Sequence, residues 1–191
     1  MHVFALMRET SNNLFSFSYL MKYNVYSKEI VKSKAQYLDS SEFISAIAWD
    51  KDKNRVITAS YSYNKPYINK LITFNADLEL IDSLAITDSA HRVNIPNNIF
   101  TSDTSLLILC HTGKWREFEE SSQILGIFLN ENSNQINQTR VNSSRTLGNT
   151  GFLTQLSHLN NNQELVIAAI HYKTNISRPN DYNFFINPIK L

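Results

Sequence analysis

A pattern that recurs about every 55 residues is the feature that most constrains how this chain can fold. Three segments can be aligned, and in each of them a second apolar residue follows the last apolar residue by five positions. The aligned segments are 18–25, 74–81 and 129–136, at offsets of 56 and 55 residues. The pair Ile186-Asn187 resembles Phe74-Asn75 and predicts the start of a fourth copy. A fixed period of this length is typical of proteins built from stacked copies of one supersecondary unit.

A second element recurs between these segments and has the form strand, polar turn, strand. Its three copies cover 43–50 with 55–61, 98–103 with 105–111, and 152–159 with 164–172. The apolar runs are short, rich in β-branched residues and bounded by Asn, Asp and Ser, which predicts β-strands. Segment 27–38 could instead form a short helix from a Ser cap. Its counterparts in the other copies read as extended, so we predict a strand there as well.

The repeat unit is therefore predicted to hold four antiparallel strands, which we name a, b, c and d. Strand b is the most uniformly apolar, as the runs 106–109 and 165–170 show, and such runs are typical of strands buried on both faces. This pattern resembles the blades of β-propellers, and the apolar run after an Asn-bearing turn is similar to that of bacterial propeller modules. The resemblance covers most of the chain and implies blades packed face to face, with strand a innermost.

The predicted fold class is all-β: a propeller-like array of about four four-stranded antiparallel blades, of which the first and last are incomplete. The chain would begin in strand b, within 2–8, and end in strand c, within 181–191. We interpret residues 1–191 as a single all-β repeat domain, which could be part of a larger propeller. The alternative is a β-sandwich whose spacing matches by coincidence.

Charge and hydropathy argue against several classes of function. Eighteen basic and 17 acidic residues give a net charge of +1, so no strong basic balance predicts nucleic-acid binding. No apolar stretch of about 18 residues occurs, which predicts no membrane insertion. Segment 1–8 is too short for a signal peptide, so we expect a soluble chain. The sequence does not indicate its cellular compartment. Cys110, the single cysteine, lies in an apolar run and is expected to be buried.

The propeller resemblance also implies that the b–c and d–a loops share one face, and the a–b and c–d turns the other. The b–c loops are longer and combine aromatic with basic residues, which suits sugars, peptides or anionic groups. The alternative is that the aromatic residues only anchor these loops. The candidate ligand-binding residues are Tyr61, Tyr63, Tyr67, His111, Lys114, Trp115, Arg116, His171, Tyr172 and Arg178.

Motifs for metals and catalysis are scarce. The alternating oxygens of Asp50, Asp52 and Asn54 could wrap a calcium ion, although the later Gly and Glu of an EF-hand loop are absent. The alternative is a turn stabilised by Asx hydrogen bonds. No zinc, P-loop, dinucleotide or nucleophile-elbow motif occurs, so no cofactor is predicted.

We therefore predict a non-catalytic binding or protein-interaction module that presents aromatic and basic loops to a protein or carbohydrate ligand. The first alternative is a hydrolase-type enzyme with its site at the channel mouth, where several ionisable side chains would share a deep pocket. The second is a truncated propeller fragment without independent activity, which would self-associate through unpaired blade edges.

Overall fold

A computed structural model of the chain describes nine ranges of residues, and it describes side chains in part of these ranges, up to residue 138. The described ranges are 2–10, 16–37, 42–62, 68–87, 93–113, 123–141, 150–159, 164–173 and 182–190. Every regular element within them is a β-strand, and this part of the chain has no helix that could cross a membrane.

These ranges form fourteen strands in four antiparallel sheets, each of which we call a blade. Blade 1 consists of β1 (His2–Thr10), β2 (Ser16–Asn24) and β3 (Glu29–Tyr37). Blade 2 consists of β4 (Glu42–Asp50), β5 (Arg55–Ser62), β6 (Ile68–Asn75) and β7 (Leu80–Thr87). Blade 3 consists of β8 (Val93–Thr101), β9 (Ser105–Gly113), β10 (Gln123–Asn130) and β11 (Gln135–Val141). Blade 4 consists of β12 (Thr150–Leu159), β13 (Glu164–Lys173) and β14 (Tyr182–Lys190).

Neighbouring strands in each blade are consecutive in the chain, so every blade is a meander. Blades 2 and 3 hold the four predicted strands a to d. Among the described residues, blade 1 holds b, c and d, and blade 4 holds a, b and c. The predicted arrangement of two four-stranded blades flanked by two with fewer strands is confirmed for the described residues. Segment 27–38 contains β3, which confirms a strand rather than a helix there. The chain is thus an all-β protein with a propeller-like array of sheets.

Three c–d turns share one local structure, built on an asparagine that ends strand c. The side-chain oxygens of Asn24, Asn75 and Asn130 each accept two hydrogen bonds from backbone N–H groups within the following turn. Such Asx hydrogen bonds explain why asparagine is favoured at these positions. The three residues lie 51 and 55 positions apart. The predicted offset of 56 for the first copy is therefore wrong by five residues, since Val25 lies in a turn and Ile81 in β7.

The register of blade 4 corrects the fourth copy in the same way. Lys190 pairs with Glu164, as Asn75 pairs with Arg55 in blade 2. Lys190 thus takes the position that Asn75 takes, and Ile186-Asn187 lies three residues earlier, inside β14. Ile186-Asn187 therefore matches the sequence pattern of Phe74-Asn75 but lies within a strand and not at its end.

Among the residues whose side chains are described, two apolar cores lie between neighbouring blades. Between blades 1 and 2, Leu20 of β2 packs with buried residues of blade 2, Val56 among them. Between blades 2 and 3, Ile57 belongs to a larger buried cluster that also contains Cys110 and Leu125. Strand β5 supplies both cores because successive side chains of a strand point to opposite faces. Burial on both faces explains the uniformly apolar strand b, and the predicted burial of the Cys110 thiol is confirmed.

Polar contacts show that blades 1, 2 and 3 are stacked with equivalent ends together. At one end, Lys22 of blade 1 pairs with Asp77 in the β6–β7 turn at 3.3 Å, and Arg55 of blade 2 pairs with Glu131 in the β10–β11 turn at 2.6 Å. At the opposite end, the side chain of Asn69 in β6 donates to a backbone oxygen of β8 at 2.7 Å. We call these the turn end and the loop end, because the b–c connections leave from the second.

Candidate binding face

Most of the predicted ligand-binding residues lie in the b–c connections. Six of them fall outside the described residues: Tyr63, Tyr67, Lys114, Trp115, Arg116 and Arg178. His171 and Tyr172 lie in the described backbone of β13, opposite Asn183 and Tyr182 of β14. Their place in the sheet puts them near the end of β13 that leads into the b–c connection, and their binding role stays a prediction.

The two remaining candidates, Tyr61 and His111, are buried beneath the loop end. The ring of Tyr61 packs against Phe43 with centroids 5.6 Å apart and planes tilted by 30°. Burial lowers the pKa of His111 from 6.5 to about 4, because the imidazolium loses its hydration, so this ring is neutral at pH 7. Both side chains therefore support the loop end from below and do not lie on its surface.

An ion pair at the loop end joins the first three strands of blade 2. Glu42 opens β4, and its two carboxylate oxygens accept hydrogen bonds from Ser60 of β5 at 3.1 Å and from Lys70 of β6 at 2.9 Å. The Glu42 side chain is buried, whereas that of Lys70 is 41% exposed. A buried carboxylate is stable only with such partners, so the charge of Lys70 is fixed at the edge of the loop end.

A buried amide next to this pair connects blade 2 to blade 3. The Asn69 side-chain nitrogen donates to the backbone oxygens of Ser60, at 3.0 Å, and Asn94, at 2.7 Å. Asn94 is itself buried in β8 and pairs with Thr112 of β9, which is also buried. The strand ends under the loops are thus held by hydrogen bonds both within and between blades.

Asp50, the first residue of the calcium candidate, is committed to a different set of contacts at the turn end. One carboxylate oxygen accepts the Lys53 backbone N–H at 3.2 Å, and the other accepts Arg55 Nε at 2.8 Å. Arg55 and Lys53 also pair with Glu131 of the next blade. The geometry thus makes buried Asp50 the anchor of an ion network between blades 2 and 3.

The other two calcium candidates, Asp52 and Asn54, lie exposed in the β4–β5 turn, where Asn54 has a positive φ of 50°. No cluster of three or more His, Cys, Asp or Glu side chains suited to a metal ion occurs in the described part of the chain. The contacts of Asp50 agree with the alternative of an Asx-stabilised turn.

Two grooves open between blades 2 and 3 in the described structure. One, of about 410 Å³, lies between the outer strands and is bordered by Ile86, Ile136 and Gln138. The other, of about 370 Å³, lies toward the turn end and has Arg55 and Glu131 in its wall. A catalytic pocket would be expected to hold a buried group whose pKa is shifted. His111 is such a group among the described residues, but it lines neither groove.

Sequence reasoning missed Glu42, Lys70 and Asn69. A signal was present, since two adjacent polar residues, Asn69 and Lys70, follow Ile68 in a predicted strand that is otherwise mainly apolar. Their partners could not be identified, because Glu42 is 28 residues from Lys70 and meets it only once the register of three strands is known.

Comparison with known proteins assigns the fold and no family. No protein-family model matches the chain, and no curated protein sequence matches it. A neuraminidase-like protein from A/bat/Guatemala/164/2009 superimposes with a TM-score of 0.51 and 10% identity, over 93% of this chain and 46% of that one. A subtype N10 neuraminidase-like protein of A/little yellow-shouldered bat/Guatemala/060/2010 gives a TM-score of 0.45 and 9% identity, over 97% and 60%.

The first of these neighbours has a six-bladed β-propeller fold, which agrees with the stacked antiparallel sheets of this chain. At 10% identity the likeness concerns the fold alone. The chain spans about half the length of that propeller protein. The class defined by the fold is therefore a propeller-like all-β protein.

Proposed function

We propose that this chain is a non-catalytic binding module whose ligand surface is the loop end of a propeller-like scaffold. The observation that carries the proposal is the Glu42–Lys70 pair, in which a lysine side chain that is 41% exposed at the loop end is held by its ammonium group on a buried carboxylate. Ser60 holds the other oxygen of that carboxylate, so the position of the charge is defined by three strands. Fixed groups of this kind lower the ordering cost of binding.

The chemistry of the pair suits a carbohydrate. An ammonium group has three N–H donors, and Glu42 accepts one of them at 2.9 Å. The pair as a whole is neutral, so it favours hydroxyl groups over a strongly charged ligand. Aromatic side chains are predicted in the adjoining connections, at positions such as Tyr63 and Trp115, and rings of this kind stack on apolar faces of sugars. A peptide ligand is the competing outcome of the test below.

The test measures binding of the whole chain to a glycan array, followed by titration of the best glycan. Lys70→Met keeps the aliphatic stem and removes the donors, and we expect it to weaken binding by about tenfold or more, as loss of a central polar contact does. Glu42→Gln, which releases the ammonium, should act in the same direction. Lys22→Met is the matched control, because Lys22 pairs with Asp77 at the turn end, and it should bind like the wild type.

The outcomes separate the proposal from its alternatives. Equal loss of affinity in the Lys70 and Lys22 variants would contradict a site at the loop end. Absence of any glycan ligand, with binding to a peptide library instead, would make the module a protein-interaction domain. Release of reducing ends from the bound glycan would contradict a non-catalytic module and favour the hydrolase.

A further inference from the structure

Blade 1 carries an apolar face that the next blade does not cover. Val3 and Ala5 of β1 pair with Tyr23 and Met21 of β2, so these four residues share one face of the sheet. The opposite face, with Phe4 and Leu20, packs on blade 2. We call the first set the outer face of blade 1, defined by Val3, Ala5, Met21 and Tyr23.

The same register positions in blade 2 are covered by a neighbouring blade. Val56 pairs with Phe74 as Val3 pairs with Tyr23, and in both blades the strand-c residue directly precedes the asparagine that ends the strand. Val56 is fully buried in the core against blade 1, whereas Val3 is 41% exposed.

Blade 3 repeats the arrangement. Leu106 pairs with Leu129, which directly precedes Asn130, so Leu106 is the counterpart of Val3 and Val56. It is 3% exposed and belongs to the core against blade 2. The position held by Val3 is therefore an interface position in blades 2 and 3, and in blade 1 no described residue buries it.

We propose that a second copy of this chain covers the outer face of blade 1, through the face of its own blade 4 on which Val166, Ala168 and Ile186 lie by strand register. Blade 2 presents an apolar face to blade 3, which includes Ile57, Ala59 and Leu71. The strand pairing gives Val166, Ala168 and Ile186 the register positions in blade 4 that correspond to these three residues. These register positions in blade 4 are thus held by apolar residues, as they are in blade 2.

This contact joins two different surfaces, so the association is head to tail. A head-to-tail contact either closes into a ring or extends into an open assembly. Two copies would hold twice the four sheets that the described residues of one chain form, and propellers typically have four to eight blades. One chain spans 46% of the length of the propeller protein that it resembles, which leaves room in such a ring for more blades than one copy provides.

The experiment is analytical ultracentrifugation of the whole chain over a concentration series. The wild type should associate, and Val3→Lys should raise the concentration at half-association by about tenfold or more, the effect expected at a central interface residue. Tyr26→Lys is the matched control, since Tyr26 is 79% exposed in the β2–β3 turn and outside the outer face. It should associate like the wild type.

Mixing variants tests the head-to-tail geometry. Val3→Lys and Ala168→Lys should each weaken association alone, and an equimolar mixture should regain one intact interface and form heterodimers. Association of Ala168→Lys at wild-type strength would overturn the proposal, because the outer faces of blade 1 would then be pairing with each other. A wild type that stays monomeric at every concentration would also overturn it.

Hydrogen exchange of the wild type makes the test independent of how well the variants fold. Raising the concentration should slow exchange in β1 and in β13, and leave β7, an outer strand of blade 2, unchanged. Equal change in all three strands, or in none, would contradict the proposed contact. Glycan binding enters none of these measurements, so this inference and the proposed function can fail separately.

Discussion

At the scale of single residues, the turns show how this chain manages with four glycines. In the described part of the chain, Lys28, Asn54, Leu78 and Asn134 have positive φ, and no glycine does. Asparagine tolerates this conformation because its side chain bonds to the local backbone, but lysine and leucine have no such compensation. Leu78 is buried between blades 1 and 2, so packing offsets its strain. Lys28 is exposed and has a φ of 58°.

The exposed strain at Lys28 gives a prediction. A left-handed L-residue costs roughly 1–2 kcal/mol, and glycine recovers most of this while adding unfolded-state entropy, so Lys28→Gly should raise the free energy of unfolding by roughly 0.5–1 kcal/mol. Urea unfolding followed by circular dichroism measures the change. The control is Ser27→Gly, one residue earlier in the same turn, where φ is not positive, and it should be neutral or destabilising. A Lys28→Gly protein less stable than the wild type would contradict this account of the turn.

At the scale of elements, strand type and order could be predicted from the sequence, but register could not. The apolar runs identified strand b. In blade 2 both faces of this strand are buried, and its central polar residues Thr58 and Ser60 are hydrogen-bonded within the sheet. The first copy was misaligned because Val25 and Ile81 are both apolar and followed by similar spacing, whereas the shared structural marker is the asparagine at the end of strand c, as in Asn24 and Asn75. Apolar patterns identify faces of strands, and the turn chemistry sets where each strand ends.

The candidate site could likewise be predicted only in part from the sequence. Composition pointed to the loop end through residues such as Trp115, and the proposed site at this end depends on Glu42 and Lys70, which the sequence analysis did not select. Both residues read as ordinary surface charges until three strands are placed side by side. Calcium was suggested by the spacing of Asp50 and Asp52, but spacing alone cannot show that the first carboxylate is already bonded to Arg55.

The ion network at the turn end yields a prediction about how turns connect blades. Asp50→Asn removes the charge of a buried carboxylate that Arg55 needs, and it should lower the free energy of unfolding by about 1–3 kcal/mol, the cost of losing charged hydrogen bonds at a buried site. Asp77→Asn is the matched control, because it breaks an ion pair with an exposed carboxylate and should cost about 0.5 kcal/mol or less. Chemical denaturation at low and high salt measures both. Equal effects would mean that the network contributes no more than a surface pair.

At the scale of the whole molecule, we expect the interface between blades, rather than the blade, to be the cooperative unit. Each sheet has two faces, and the buried residues of blade 2 divide between a core with blade 1 and a core with blade 3. Val56 and Ile57 are adjacent in β5 and both fully buried, yet they belong to different cores. Nearest-neighbour coupling of this kind makes the stability of a repeat array a sum of local interface contributions. A blade face that no neighbour covers adds no such contribution to stability.

These adjacent residues test that view directly. Ile57→Ala should lower the free energy of unfolding by about 2–5 kcal/mol, because it leaves a cavity in a packed core. Val56→Ala should lower it by less, because a smaller side chain is removed. Hydrogen exchange should then separate them. Ile57→Ala should speed exchange in β9 and β10 of blade 3, whereas Val56→Ala should speed exchange in β1 and β2 of blade 1, since a weakened core releases the blade on its own side. If both variants sped exchange in the same strands, blade 2 would unfold as one unit. The sheet, and not the interface between sheets, would then be the cooperative unit.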